Sequence, residues 1–194
     1  MNSAIIILAA GSSSRLGKPK QLLSYHGKSL INHVISVAEN SIADEIIVVL
    51  GSHYELIIKE IPANKKLRVI INAEWEEGIA SSIRAGLKLL QQGSEVDAAI
   101  FTVCDQPFIT TSLLNNLIEM YQQSKMPIVA SSYENTIGTP VLFDKNLFEE
   151  LLLLKGDSGA KKMIVNHKDK VATIPFPKGN IDIDTNDEYE DLMK

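Results

Sequence analysis

The segment Leu8-Ala9-Ala10-Gly11-Ser12-Ser13-Ser14-Arg15-Leu16-Gly17-Lys18-Pro19-Lys20-Gln21 concentrates the residue types that hold a phosphate. Glycines let backbone amides approach phosphate oxygens, and serines add hydroxyl donors. Gly11, Ser12, Ser13, Ser14 and Gly17 supply both features, while Arg15 can fork onto two oxygens and Lys20 can act as a mobile point charge. The spacing excludes two familiar phosphate loops. A GxxxxGK[ST] loop needs four residues between its glycines, but Gly11 and Gly17 are further apart, and Pro19 follows Lys18 where a hydroxyl residue is required. The GxGxxG fingerprint fails at Ser13. The bland alternative is a flexible surface loop of ordinary composition.

Two acidic sites follow. Asp105, in Cys104-Asp105-Gln106-Pro107, comes directly after a continuous apolar run, and Pro107 would fix the turn that aims it. At the carboxyl edge of a parallel sheet such an aspartate can hold a divalent cation, leaving other positions to phosphate and water. It can equally be a turn aspartate or a helix cap. Asp182-Ile183-Asp184-Thr185 places two carboxylates on one face of an extended segment, and Thr185 or Asn186 can cap a final helix. Taken alone, the pair reads as solvated acids before that helix. Cys104 is expected to be a core residue.

The charge distribution sharpens this. The net charge of −5 argues against a nucleic-acid-binding surface. Yet Arg15, Lys18, Lys20 and Lys28 occur among the first 38 residues with no acid beside them, which suggests a local anionic ligand. A single cysteine rules out an internal disulfide or a cysteine-clustered metal site, and His26, His33, His53 and His167 lack zinc-ligand spacing. No apolar run is long enough to span a bilayer, and no leader pattern is evident, so a cytoplasmic, membrane-free protein is expected.

The elements that must position these residues alternate. Residues 4–9, and 45–50 after its first residue Glu45, are continuously apolar and read as strands buried on both faces. Further strands are expected at 67–71, 97–104, 127–131 and 171–175. Helices are expected at 29–40, 53–60, 79–92 and 111–123, with a short one after Gly156-Asp157-Ser158-Gly159. Gly138-Thr139-Pro140 reads as hairpin punctuation before Val141-Leu142-Phe143. The 194 residues suit one domain, 1–194, of three-layer α/β/α type with a mainly parallel sheet. The irregular stretch from about 132 to 180 should cover the substrate end of that sheet.

With these motifs in place, the chain resembles the MobA-like nucleotidyltransferases, and within them the molybdenum cofactor cytidylyltransferase branch, whose pattern begins LAAGxSxRxGxxK. Leu8, Ala9, Ala10, Gly11, Ser13, Arg15, Gly17 and Lys20 satisfy it. Further matches are Asn72, Trp75, Gly78, Ser82 and Gly86, the CDQP, GxP and GDSG segments, and DIDT. The resemblance implies a modified Rossmann-type nucleotidyltransferase fold. It implies NTP bound by Leu8 to Ser13, Arg15, Lys20, Gly78 and Ser82, with Ser81 nearby, and Mg²⁺ held by Asp105 and Asp184. Arg15, Lys20 and Asp105 would be catalytic. Ala10, where guanylyl enzymes usually have a second glycine, points to CTP, with molybdopterin as the phosphorylated acceptor and a molybdenum enzyme receiving the product. The same motifs serve sugar- or polyol-phosphate cytidylyl- and uridylyltransferases. A non-catalytic molybdenum cofactor carrier is the competitor from another class, and its mark would be loss of Arg15, Lys20 or Asp105, all of which are present.

Overall fold

The computed structural model describes residues 1–93 and 95–194. In chain order the elements are β1 (Ser3–Ala9), β2 (Ser24–Tyr25), β3 (Lys28–Ser29), α1 (Leu30–Glu39), β4 (Glu45–Leu50), α2 (Tyr54–Ile57), β5 (Leu67–Ile71), α3 (Ile79–Gln91), β6 (Ala98–Val103), α4 (Thr111–Ser124), β7 (Ile128–Tyr133), β8 (Thr136–Asp144), α5 (Phe148–Leu152), α6 (Ala160–Asn166), β9 (Val171–Pro175) and α7 (Asn186–Leu192). Seven strands form the main sheet in the order β5-β4-β1-β6-β8-β7-β9, and β2 pairs with β3 as a separate ribbon. Only β8 runs against its neighbours in the main sheet. The fold is the expected mainly parallel α/β sheet with helices on both faces.

The alternation of side chains along β1 divides the core. Ile5, Ile7 and Ala9 pack with α1 residues Ile31, Val34 and Ile35 and with Leu114 and Leu117 of α4. Ala4, Ile6 and Leu8 face the other way, onto Ile83 and Leu87 of α3 and Met163 of α6. β1 and β4 are buried along their whole length, which is why their sequences show no polar alternation. α3 approaches β1 closely at Gly86, where a Cβ would lie 2.6 Å from Ile6 Cγ2. The crossover through α1 leads to one side of β1. The later one through α3 leads to β6 on the other side, along the opposite face. The crevice at the carboxyl ends of β1 and β6 is thus the switch point of the sheet, where open α/β folds bind ligands.

Two local expectations change. The chain reverses at Glu134 and Asn135, between paired residues Tyr133 and Thr136, rather than at Gly138-Thr139-Pro140. That segment lies inside β8, where the register jumps from Ala130 opposite Val141 to Ser131 opposite Gly138, leaving Thr139 and Pro140 as a bulge. The bulge lies against β7, and β6 pairs only with residues 141–144, so Pro140 is asked for no ladder donor on either side. The helix expected at 53–60 is one short α-helical turn continued as a 3₁₀ turn over Ile58–Glu60, and it ends with Ile61 extended before Pro62.

Candidate active site

The loop after β1 is set by its own backbone. Ser13 and Gly17 both take positive φ, 55° and 71°, and the amides of Leu16 and Gly17 donate to the Ser13 carbonyl at 3.0 and 3.2 Å. The Ser13 hydroxyl accepts from the Lys20 amide at 3.0 Å, so this side chain holds the loop together rather than facing the cleft. Gln21, given no role by the sequence reasoning, is buried beneath the loop. Its amide donates to the carbonyls of Ala9 at 2.9 Å and Gly11 at 3.1 Å, fixing where β1 ends. The only sequence signal for it was its place directly after the basic motif.

Lys20 is carried by this loop to the centre of the crevice. Its Nζ donates to Asp105 Oδ2 at 2.7 Å and to Asp184 Oδ1 at 2.6 Å, while Arg15 reaches Asp184 Oδ2 at 2.5 Å. The four residues come from the first loop, the end of β6 and the segment before α7. The last is brought in by the Ile183 amide, which donates to the Asp105 carbonyl at 3.1 Å. Thr185 then starts α7 through a capping box with Glu188, whose carboxylate also accepts from the Asp184 amide. This fixes Asp184 at a helix entrance instead of leaving it in solvent.

The electrostatics follow from this packing. Burial works to lower the Lys20 pKa, but the adjacent charges and hydrogen bonds of Asp105 and Asp184 outweigh it and leave the pKa above the ordinary lysine range. Burial pushes Asp184 upward, yet the links to Lys20 and Arg15 prevail and hold it below its ordinary value. Asp182 is raised, first by burial and then by Asp105 and Asp184. Cys104, buried at the end of β6, is pushed up to about 12 by burial and by Asp105.

A cleft of about 370 Å³ opens beside this cluster. It is lined from below by Leu8, Ala9, Ala10, Gly11 and Ser12, on the far wall by Gly78 and Ser82, and at its mouth by Lys20 and Asp105. Trp75 and Asp157 complete the wall, two positions to which the sequence reasoning assigned no contact. Gly78, at φ 114°, permits a close crossing with the Gly156-Asp157-Ser158-Gly159 loop: a Cβ there would sit 2.5 Å from Asp157 Oδ1 and 2.6 Å from the Gly156 carbonyl. Asn72 is buried behind this wall and donates to Ser81 Oγ at 2.8 Å and Ser82 Oγ at 3.1 Å. A second cavity of about 520 Å³ shares Ile79, Val103, Asp105 and Asp157 with the first. Its remaining wall comes from the 132–180 region, including Tyr133, Gly138 and Lys161, together with Asp182.

Among the described residues no group of three or more His, Cys, Asp or Glu side chains forms a metal cage. The donor set that does exist, two carboxylates converging on one cation from separate elements, suits a divalent ion whose coordination is completed by phosphate and water. The ammonium of Lys20 lies between the two carboxylates. No helix of the described residues is long and apolar enough to cross a membrane.

Comparison with known proteins gives the same family as the resemblance. The family model described as the MobA-like NTP transferase domain matches residues 5–171. The chain belongs to this family. It is thereby a nucleotidyltransferase-family protein. The purine catabolism protein PucB of Bacillus subtilis (strain 168) is 25% identical over 198 residues, covering 95% of this chain and 93% of PucB. The nicotine blue oxidoreductase of Paenarthrobacter nicotinovorans is 26% identical over 164 residues, covering 80% and 78%. Among solved structures, Rv0371c from Mycobacterium tuberculosis H37Rv superposes with a TM-score of 0.85 at 27% identity, covering 99% of this chain and 97% of that one. Its form complexed with manganese superposes at 0.79 with 24% identity over 99% and 98%, a likeness of fold.

Proposed function

We propose that this protein transfers CMP from CTP to the terminal phosphate of molybdopterin, with release of pyrophosphate, in the cytoplasm, and that a molybdenum enzyme receives the product. The observation that carries the reading is the convergence of Asp105 and Asp184 on Lys20 Nζ, at the mouth of a cleft floored by the glycine-serine loop. Leu8, Ala9, Ala10, Gly11, Ser12, Gly78 and Ser82 would contact the nucleotide. Ser13 would act by shaping the loop. Arg15 and Lys20 would meet the triphosphate, and Asp105 and Asp184 would hold Mg²⁺. Bound there, Mg²⁺ would supply charge neutralisation at the phosphate oxygens.

The chemistry is in-line attack of an acceptor phosphate oxygen on the α-phosphorus. A phosphate monoester loses its second proton near pH 6, roughly, so the nucleophile is already ionised at neutrality and needs no strong base. The site accordingly offers cations and orientation, not a histidine or a carboxylate pair arranged for proton transfer. The second cavity, meeting the nucleotide cleft at Asp105, would seat the acceptor, with Lys161 on its wall as a phosphate partner. Ala10 supports a pyrimidine by resemblance: it lines the cleft at the position where guanylyl enzymes of the family usually have a second glycine.

A thermal-shift panel of CTP, GTP, UTP and ATP with Mg²⁺ tests the nucleotide, and pyrophosphate release with molybdopterin tests the acceptor. Selective stabilisation by CTP and release dependent on molybdopterin are expected. Selective stabilisation by GTP would overturn the base, release only with a sugar or polyol phosphate would overturn the acceptor, and no shift with any nucleotide would favour a carrier.

A further inference from the structure

The position of Lys20 sets a condition on how the site fills. Its ammonium lies between the two carboxylates that would ligate the metal, within hydrogen-bond distance of both, and its side chain is only 12% exposed. Arg15 occupies the other oxygen of Asp184. Without ligand the four paired groups therefore carry two positive and two negative charges, with the Asp182 carboxylate beside them, and both candidate ligands are already paired. The backbone amide of Lys20 is anchored to Ser13 Oγ, so a flexible four-carbon stem joins a fixed base to a mobile charge.

From this geometry we infer that Lys20 is an exchangeable counter-ion that excludes a divalent cation from Asp105 and Asp184 until a triphosphate draws its ammonium away. This rests on the assignment of those two aspartates as metal ligands, and goes beyond it by making metal entry conditional on nucleotide.

A divalent cation arriving alone must displace Lys20 from both its carboxylates and leave its ammonium in a half-buried crevice beside the metal and Arg15, where only Asp182, which makes no ion pair with Lys20, offers a further negative charge among the described residues. Charges so placed are costly. A triphosphate arriving alone faces two carboxylates and finds Lys20 engaged. When both arrive, the ammonium moves from carboxylate to phosphate and the metal takes its place, so that each charge gains a partner as it loses one. Metal and nucleotide affinities are then linked, and the linkage is reciprocal: each ligand must tighten the other by the same factor. Lys20 is the residue through which that coupling passes. Arg15, 70% exposed and ion-paired with Asp184 alone among the described residues, contributes less because water can solvate it when displaced.

The test is Mn²⁺ binding measured by electron paramagnetic resonance on the full chain, with and without CTP, for wild type and for Lys20→Met, which keeps the stem and removes the charge. Wild type is expected to bind Mn²⁺ weakly alone and at least tenfold, roughly, more tightly with CTP, the scale of one strong charge contact partly screened by solvent. Lys20→Met is expected to bind Mn²⁺ more tightly than wild type without nucleotide, with little further gain from CTP. Lys20→Gln should behave alike and serves if the methionine variant melts early by circular dichroism. Adding Asp184→Asn to either should cancel the gain. Unchanged or weaker Mn²⁺ binding in both lysine variants, with CTP-dependent binding intact in wild type, overturns the inference while leaving the metal assignment standing. Mn²⁺ binding that ignores Asp105→Asn and Asp184→Asn overturns both. A purely structural role for Lys20 predicts weaker binding on its removal, the opposite sign.

Discussion

The backbone amide of Ile183 donates to the carbonyl of Asp105 at 3.1 Å, joining a segment near the C terminus to the end of β6. This bond, the Lys20 bridge and the Gln106 side-chain amide donating to the Gly179 carbonyl at 2.7 Å make the chain's two acidic motifs neighbours. Ile183 itself is fully buried, packed with Leu16, Leu23, Tyr25 and Leu30, so the aspartates on either side of it remain at the cleft while the residue between them anchors the segment.

If Asp105 and Asp184 share the metal, Asp105→Ala will abolish nucleotidyl transfer with the fold preserved. Loss of a preorganised charge contact at a transferring phosphate costs about 10²–10³ in rate or more. Steady-state pyrophosphate release beside a far-ultraviolet circular dichroism spectrum checks it, and near-normal turnover would refute the assignment.

Gly78→Ala should both destabilise the protein and weaken nucleotide binding. The backbone at φ 114° is one that side chains rarely adopt, and the added methyl would meet the Gly156 carbonyl at 2.6 Å. Such strain costs about 1–3 kcal/mol. Urea unfolding should show the loss, and a nucleotide titration should show weakened affinity because this crossing forms the cleft wall.

Acid should weaken the link between the C-terminal segment and the first loop. Asp184 is held below its ordinary value of 3.8 by Lys20 and Arg15, against the upward push of burial. Its contribution to stability is therefore fully present above that ordinary value and is lost as pH falls through the lower folded one. The stability difference between wild type and Asp184→Asn should accordingly be constant near neutrality and shrink below about pH 4. Denaturant midpoints across pH 3 to 7 would show it; a difference that grows with acidity would contradict the ion pairing.

Cys104 should resist thiol reagents in the folded protein. With its pKa pushed up to about 12 and its side chain buried, only about one molecule in ten thousand carries a thiolate at pH 8. Chromogenic disulfide exchange should proceed only after urea is added, and prompt labelling of the native protein would show that the end of β6 opens.

What could be read without coordinates was set by local rules. Continuous apolar runs marked β1, β4 and β6 as strands buried on both faces, and apolar spacing marked α1 and α3, because each pattern reports the periodicity of the element that carries it. The glycine-serine loop, with Arg15 and Lys20, likewise announced phosphate chemistry from composition and spacing alone. Tertiary structure decided the rest, since contacts between distant segments leave no local period. Asp182 and Asp184 looked like solvated acids, and long-range contacts, among them the burial of Ile183 and its bond to Asp105, bring Asp184 to Lys20. Ser13 carries the composition of a ligand contact, yet a positive φ turns its hydroxyl to the Lys20 amide. Pro140 reads as turn punctuation, yet a bulge against β7 lets β8 pass through it. The sequence named the charges around the cleft; which of them face one another follows from the switch point between β1 and β6, because that crevice is where the segments carrying them converge.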